Sequence, residues 1–142
     1  MRKPLTTVLT TLVLTLPAVN VSAAATAPKA LKKTIVAKRT FTGSVAQADR
    51  WGNLQITMVV KKTTTITGSK KTVKRHIESI KAPVVPDHTD RSRFISQNAL
   101  PMLIQETLKA QSTHIYIVSG ATYTSEAFGQ SLQSAITKEK AW

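Results

Sequence analysis

Two segments near the middle of the chain have the hydrophobic pattern typical of β-strands. Residues 41–45 and 54–60 are rich in apolar and β-branched side chains. The turn formers Asp49, Gly52 and Asn53 lie between these two segments. Two such segments separated by turn residues predict a long β-hairpin.

A second, weaker hairpin signal follows directly along the chain. Residues 63–66 and 71–73 carry β-branched side chains and flank Gly68 and Ser69. A glycine at the first central position suits a tight two-residue turn. We therefore expect a second hairpin at this dipeptide, with the number of strands left open.

Residues 76–82 predict one more strand before a polar break. Ile77 and Ile80 lie three positions apart, so simple alternation places them on opposite faces of the sheet. Prolines at two of the next few positions end regular structure, and residues 87–92 are expected to form a charged loop.

From Arg93 onwards the apolar period lengthens to three and four residues, which predicts a helix. The positions expected on its apolar face are Phe94, Ala99, Leu100, Leu103, Thr107 and Leu108. Pro101 lacks an N–H group, which costs nothing in the first turn of a helix. The helix is therefore expected to begin at Asn98 or Leu100, unless an earlier turn is kinked at the proline.

The last third of the chain predicts a short strand and a second helix. Residues 114–119 are β-branched and bounded by a glycine, which predicts a buried strand. Residues 124–137 place apolar side chains along one side of a helix. The fold class is therefore α+β, a small antiparallel β-sheet with two packed helices, the last of which starts at the Ser-Gly-Ala-Thr sequence of residues 119–122.

The N-terminal residues have the order of a secretory signal peptide. Arg2 and Lys3 supply positive charge, and residues 5–16 are an apolar run without a charge. Small residues follow, and Val-Ser-Ala at 21–23 is an acceptable cleavage sequence. We expect residues 1–23 to be removed, with retention as an N-terminal anchor as the alternative. The protein is expected to be extracytoplasmic, either secreted or associated with the outer face of the cytoplasmic membrane.

The composition adds a strong positive charge. The 20 Lys and Arg outnumber the 7 Asp and Glu, and residues 29–39 and 61–75 hold many of the basic side chains. Residues 24–39 have no hydrophobic period and predict a basic linker before a domain over residues 40–142. This charge favours an anionic membrane or wall polymer as a partner. Nucleic acid is not expected, because aromatic residues are not interleaved with the basic ones.

Some chemistries are excluded or unsupported by the residue types present. The chain contains 0 Cys, which excludes disulfides, thiolate metal sites and a cysteine nucleophile. The metal-capable side chains of residues 87–90 lack further ligands to complete a site. No paired acid and base or activated nucleophile is recognisable, so we assign no catalytic residues and no metal ligands.

The junction between the last predicted strand and helix has the chemistry of an anion site. Gly120 allows the main chain to approach a ligand, and the first N–H groups of a helix lack partners within it. Hydroxyl groups of Ser119 and Thr122 add donors. The alternative is structural, because Thr122 or Thr124 could be a simple N-cap.

Residues 118–125, followed by Phe128, residues 131–133 and Ala135, resemble the C-terminal signature of the FMN-binding domain family. That family includes the periplasmic flavin-carrying subunits of the sodium-pumping NADH:quinone reductase and of Rnf complexes. Upstream, residues 52–56 resemble its strand and residues 98–103 its helix. The resemblance spans roughly residues 40–138, most of the predicted domain.

The resemblance implies FMN as the cofactor, with Thr122 as the residue to which a flavin transferase joins it through a phosphoester. Tyr116 stands where the recognition pattern of the transferase usually has Asp, so noncovalent binding of FMN and loss of flavin are the alternatives. The residues implied at the phosphate and ribityl end are Ser119, Gly120, Ala121, Tyr123, Thr124 and Ser125, with Asn98 and Leu100 at the rim of the pocket.

The resulting hypothesis is an exported FMN-binding electron-transfer domain, which exchanges electrons with a membrane electron-transport donor and is not a free-standing enzyme. The alternative is a secreted basic module that binds an anionic membrane or cell-wall polymer without a flavin.

Overall fold

The computed structural model describes residues 31–142 of the chain. The predicted signal peptide, residues 1–23, lies outside the described residues, as does the first part of the predicted basic linker. The rest of the linker and the whole predicted domain lie within them.

Besides a short 3₁₀-helix at Asp49–Trp51, four strands and two α-helices make up the described part of the chain. They are β1 (Lys32–Thr42), β2 (Ala46–Gln47), β3 (Asn53–Thr67), β4 (Lys70–Val84), α1 (Asp90–Ala110) and α2 (Thr122–Lys140). The central strand β3 pairs antiparallel with β1 and with β4, and β2 continues the line of β1 along β3. The predicted α+β class and both predicted hairpins are confirmed.

A bulge in β4 changes which way its isoleucines point. Ile77 pairs with Val60 and Ile80 pairs with Met58, and the register shifts by one residue between these pairs. Because partners in an antiparallel pair share a face, both isoleucines face the core, where each is 7% exposed. The expectation of opposite faces was wrong, since the extra residue, Glu78, breaks the alternation.

Strand β1 begins well inside the predicted basic linker. Its residues Lys32–Thr42 pair along the whole of Thr57–Thr67, and all but Phe41 are exposed. A strand that is exposed on both faces carries no apolar alternation in its sequence. Its position depends on main-chain pairing with β3, so the linker ends before Lys32 and the boundary predicted at residue 39 is corrected.

Helix α1 also begins earlier than predicted, at Asp90. Thr89 is its N-cap, and its hydroxyl accepts a hydrogen bond from Ser92 N at 3.0 Å while Ser92 Oγ accepts one from Thr89 N at 3.0 Å. This capping box uses Ser in place of the usual Glu or Gln, so the start signal was overlooked. Pro101 lies inside the helix, as the kinked alternative requires.

Residues 114–119, predicted as a buried strand, form an irregular segment that ends in a turn at Ser119. No strand pairs with it in the described chain, and Tyr116 N donates instead to Glu106 Oε1 of α1 at 2.8 Å. Tyr116 and Ile117 are 84% and 56% exposed. The prediction of a buried strand was wrong, because β-branched composition alone does not supply a strand partner.

Both helices cover the same face of the sheet. The even-numbered residues of β3 from Leu54 to Val60 face them and are at most 1% exposed. On the helices, Leu103, Phe128 and Leu132 fill the other side of this core at 0% exposure. Deeply buried apolar side chains of this kind supply the main stabilisation of a domain of this size.

Helix α2 sits on a bulge between β1 and β2. Residues 43–45 face only two residues of β3, which leaves Ile56 N without a strand partner. Ser131 Oγ accepts the hydrogen bond from Ile56 N at 3.0 Å. A Cβ on Gly43 would lie 2.1 Å from the main-chain oxygen of Ser131, so only glycine permits this approach.

This contact predicts opposite effects for two glycine substitutions. Gly43→Ala is expected to lower the free energy of unfolding by about 3 kcal/mol, because the added methyl group meets main-chain atoms that cannot rotate away. Gly129→Ala is the matched control, since a Cβ there meets nothing within 4 Å. It is expected to raise stability by about 0.5–1 kcal/mol in the interior of α2. Urea denaturation measures both, and equal stability of Gly43→Ala and the parent protein would contradict the proposed seating of α2.

Candidate functional site

Helix α2 begins without a side-chain cap. Its N-cap residue is Ala121, whose methyl group cannot accept a hydrogen bond from the amides of the first turn. Helix α1, in contrast, has the complete capping box of Thr89 and Ser92. Neither Thr122 nor Thr124 is an N-cap, so that alternative is wrong, and the first amides of α2 have no side-chain acceptor among residues 31–142.

Gly120 shapes the loop in front of this helix. Its φ of +79° lies in the left-handed region, which glycine enters without steric cost. A Cβ at Gly120 would meet no atom within 4 Å. The requirement for glycine therefore comes from the backbone angle, and the space beside the main chain is open to a ligand.

Ser125 holds this loop against the helix. Its hydroxyl donates to the carbonyl oxygen of Ala121 at 2.9 Å and accepts from Val118 N at 3.1 Å. Ser125 is 4% exposed and Thr124 is 3% exposed. Of the predicted site residues in the first turn of α2, these two support the loop from inside, whereas Thr122 and Tyr123 are exposed to solvent.

A groove runs between α1 and residues 114–121. It consists of two cavities of about 570 Å³ and 790 Å³ that share Met102, Val118 and Ser119. The first cavity brings together Asn98 of α1 with Ser119, Gly120 and Ala121 of the loop. Cavities of this size are typical of small-molecule sites. Two parts of the predicted site that are distant in sequence therefore meet in one groove.

The walls of the groove expose an unusual amount of apolar surface. Phe94 is 68% exposed, Met102 57%, Ile117 56% and Tyr116 84%. Phe94 was expected on the buried face of α1, but it lies four residues before Asn98 and eight before Met102, on the groove face of the helix. A contiguous apolar surface of this kind on a small protein indicates a ligand or partner that covers it.

Leu100 lies on the other side of α1 from the groove. It is 7% exposed and belongs to the hydrophobic core. Residues two positions apart on a helix do not face each other, so Asn98 and Leu100 cannot both line one pocket. The structure therefore places Asn98 at the groove and Leu100 in the core.

Basic side chains lie at both ends of the groove. Arg91 lines the first cavity with Gly120 and Ala121, and Lys109 lines the second. Arg91 was not among the predicted site residues, because it precedes the point at which the helix was expected to start. Recognition of the capping box at Thr89 would have placed Arg91, Phe94 and Asn98 along one face of α1.

Residues 31–142 contain no group of three or more His, Cys, Asp or Glu side chains that could hold a metal ion. None of the helices in this range is long and apolar enough to cross a membrane. His88, in the loop considered for metal binding, bonds through Nε2 to the carbonyl oxygen of Arg50 at 3.0 Å.

The chain was compared with known families and proteins. The model of the FMN-binding domain family matches residues 49–137, more than half of the chain, and this range contains the groove and the loop before α2. No curated protein matches the chain. The resemblance predicted from residues 118–125 is confirmed, and the chain belongs to the FMN-binding domain family, whose cofactor is FMN.

Proposed function

We propose that this protein is an exported electron-transfer flavoprotein in which FMN is joined covalently to Thr122. The observation that carries the proposal is the start of α2, where an exposed threonine hydroxyl stands beside amides without a side-chain cap. A phosphate ester at Thr122 would lie at the positive end of the helix dipole, which stabilises its negative charge.

The groove fits the remainder of FMN. Its apolar walls, with Phe94 and Met102 exposed, suit a flat aromatic ring system. Asn98 offers an amide at the same wall, although its Nδ2 also donates to Phe94 O at 2.7 Å. Arg91 supplies a cation at the end of the groove near the loop. The residues thus provide an apolar wall for the ring and donors for the phosphate.

Attachment requires that the Thr122 hydroxyl act as the acceptor in a transfer reaction. The new bond joins Thr122 Oγ1 to the phosphorus of FMN, and the hydroxyl proton is lost to a base. The donor is a flavin nucleotide in which a phosphoanhydride oxygen joins that phosphorus to a second nucleotide. The bond from phosphorus to this oxygen breaks, and the second nucleotide leaves with the electron pair. The product is heavier than the unmodified chain by the mass of one FMN minus the mass of one water. Thr122 is exposed, as access by a second enzyme requires.

When bound, FMN supplies the transfer of one or two electrons. The residues of this chain bind, orient and shield it. Ser125 fixes the loop that carries Thr122, and α1 forms the wall opposite the loop. Because the groove is open to solvent along its length, an electron donor or acceptor can approach closely. We infer that the donor belongs to a membrane electron-transport system, in keeping with the signal-peptide pattern of residues 1–23.

Substitution of Thr122 tests the attachment. The protein is produced with FMN and a flavin transferase, and intact mass and the visible spectrum after denaturation are recorded. Thr122→Ala is expected to lose the added mass entirely, because no hydroxyl remains to form the ester. Thr122→Ser is expected to keep it.

Thr137→Ala is the matched control for this experiment. Thr137 is an exposed threonine of the same helix, and its hydroxyl bonds only to the carbonyl oxygen of Gln133 at 2.9 Å within the described chain. It should be loaded like the parent. Covalent flavin on Thr122→Ala would place the linkage elsewhere, and flavin released from the parent on denaturation would show noncovalent binding.

Arg91→Gln tests the contact with phosphate. In the Thr122→Ala background, where FMN can bind only reversibly, this change is expected to raise the Kd for FMN about tenfold, since a charge-assisted hydrogen bond contributes about 1.5 kcal/mol. The Kd for riboflavin, which lacks the phosphate, should not change. Flavin fluorescence titration measures both constants.

Arg93→Gln provides the control for charge on the same helix turn. Arg93 pairs with Asp90 and does not line the groove. Its removal should leave the Kd for FMN and the Kd for riboflavin within about twofold of their values in the Thr122→Ala background, as expected for an exposed ion pair. Equal weakening of FMN and riboflavin by Arg91→Gln would mean that Arg91 supports the ring and not the phosphate.

A further inference from the structure

The sheet extends beyond the part that the helices cover. Helix α2 ends at Lys140. Lys62 Nζ of β3 donates to the main-chain oxygen of Trp142 at 2.5 Å, so the last residue of the chain contacts the sheet at Lys62. The strands continue past Lys62 to the turn at Gly68 and Ser69. Five further residues per strand correspond to about 17 Å of three-stranded sheet. We call residues 32–38 and 61–76 the basic arm.

Charge in the basic arm is entirely of one sign. Its 23 residues include nine Lys and Arg and no Asp or Glu. Near its root the charge is partly neutralised by two glutamates that lie outside the arm. Lys38 Nζ lies 2.8 Å from Glu78 Oε2, and Arg75 Nε lies 2.8 Å from Glu139 Oε1. The hydrogen bond from Lys38 holds the pKa of the Glu78 carboxyl below its usual value.

The tip of the arm consists of residues 32–36 and 63–74, around the turn at Gly68 and Ser69. Its charge is not neutralised in this way. Its five lysines have no ion-pair partner within residues 31–142: Lys32, Lys33, Lys70, Lys71 and Lys74. Like charges on neighbouring strands repel, and this repulsion destabilises a sheet unless an anion lies against it. The tip therefore has the electrostatic character of a surface for a polyanion.

One face of the tip also exposes an apolar cluster, formed by Ile35, Ile66 and Val73. The register places Ile66 directly between Lys33 and Lys71 across the three strands. In the next row, Ile35 and Val73 flank Thr64 and are 45% and 37% exposed. This is the face that the helices cover further along the sheet, and no helix in the described chain extends over it.

We propose that the tip of the basic arm binds the surface of a bilayer that contains anionic phospholipid. The cluster of Ile35, Ile66 and Val73 enters the headgroup region, and Lys33 and Lys71 beside it contact lipid phosphates. Basic residues around an apolar centre are the pattern by which proteins lie in a membrane interface. Long lysine side chains can keep their ammonium groups at the phosphates while their methylene groups lie against apolar surface.

The apolar cluster decides between a membrane and other polyanions. A hydrated phosphate polymer neutralises lysines but offers nothing apolar to cover Ile35 and Val73. A second copy of this chain could cover the cluster but would bring its own lysines against Lys33 and Lys71. An anionic lipid surface complements both the charge and the apolar centre.

The arm and the flavin groove lie at opposite ends of α2. The groove reaches Gly120 and Ala121, directly before α2, whereas Glu139 of the last turn contacts Arg75 at the root of the arm. A helix of 19 residues is about 28 Å long. A protein held by its arm would therefore keep its groove away from the bilayer and open to a protein partner. Membrane binding needs no flavin, so the two proposals can fail separately.

Vesicle co-sedimentation of the full chain tests the proposal, with the N terminus of the protein defined by intact mass. Vesicles of phosphatidylcholine alone are compared with vesicles that also contain phosphatidylglycerol. We expect binding to the anionic vesicles only, with strong weakening between about 0.1 M and 1 M salt, as the Debye length falls from ~10 Å to ~3 Å.

Neutralising the tip should remove most of this binding. The arm variant combines Lys33→Gln, Lys70→Gln and Lys71→Gln, and it is expected to lower the partition coefficient about a hundredfold, at about 1 kcal/mol per lysine. Its control removes the same charge elsewhere, through Arg50→Gln, Lys81→Gln and Arg93→Gln, none of which lines the groove or lies in the arm. The control should lose less than tenfold, and equal loss in the two variants would show an effect of net charge alone and overturn the assignment to the arm.

A second pair of variants tests the apolar cluster at constant charge. Ile35→Ser with Val73→Ser is expected to weaken binding roughly fivefold, because less apolar area leaves water. Val45→Ser with Val84→Ser is the control, since these valines are also exposed, at 54% and 37%, but lie outside the arm. Circular dichroism confirms that all variants are folded.

Two outcomes would overturn the proposal of a lipid surface. One is undiminished vesicle binding by the Ile35→Ser, Val73→Ser variant, because charge alone would then account for the binding. The other is absence of binding to phosphatidylglycerol vesicles together with binding to a poly(glycerol phosphate) wall polymer.

Discussion

The close approach of Gly43 to Ser131 sets the position of helix α2 on the sheet. Because the strand bulges at residues 43–45, Ile56 N has no strand partner, and the Ser131 hydroxyl takes that hydrogen bond. Further contacts follow from the same placement. Ser134 Oγ accepts from Ser44 N at 3.1 Å, and Lys138 Nζ donates to the carbonyl oxygen of Thr42 at 2.7 Å. The helix is therefore held by polar contacts along its length as well as by its apolar face.

The position of α2 on the sheet also decides which parts of the molecule lie at its two ends. Its N-terminus presents Thr122 beside the groove, where the uncapped amides favour a phosphate. Its C-terminus ends at the root of the basic arm, where Glu139 meets Arg75 and where Trp142 packs against Phe41 with ring centroids 5.7 Å apart. One helix thus separates the proposed flavin site from the proposed membrane surface.

Several features that weaken the isolated chain have a common explanation in binding. Phe94, Met102 and Tyr116 expose apolar surface that a domain of this size would gain by burying. Helix α2 lacks a cap that α1 has. Bound FMN would offset both losses, because its ring covers the apolar walls and its phosphate accepts the hydrogen bonds of the free amides. Local departures from the rules of stable folding are common at functional sites.

The sequence alone determined the fold class, both hairpins, the existence of both helices and the loop that identified the family. These features depend on local periodicity, turn residues and a short contiguous motif, all of which are written in neighbouring positions. Only the tertiary structure decided the rest. Register shifts placed Ile77 and Ile80 on one face, pairing with β3 ordered residues 32–39, and packing left residues 114–119 outside the sheet. The meeting of Asn98 and Arg91 with Gly120 was decided there too, because contacts between distant segments depend on how helices and strands pack and not on any local pattern.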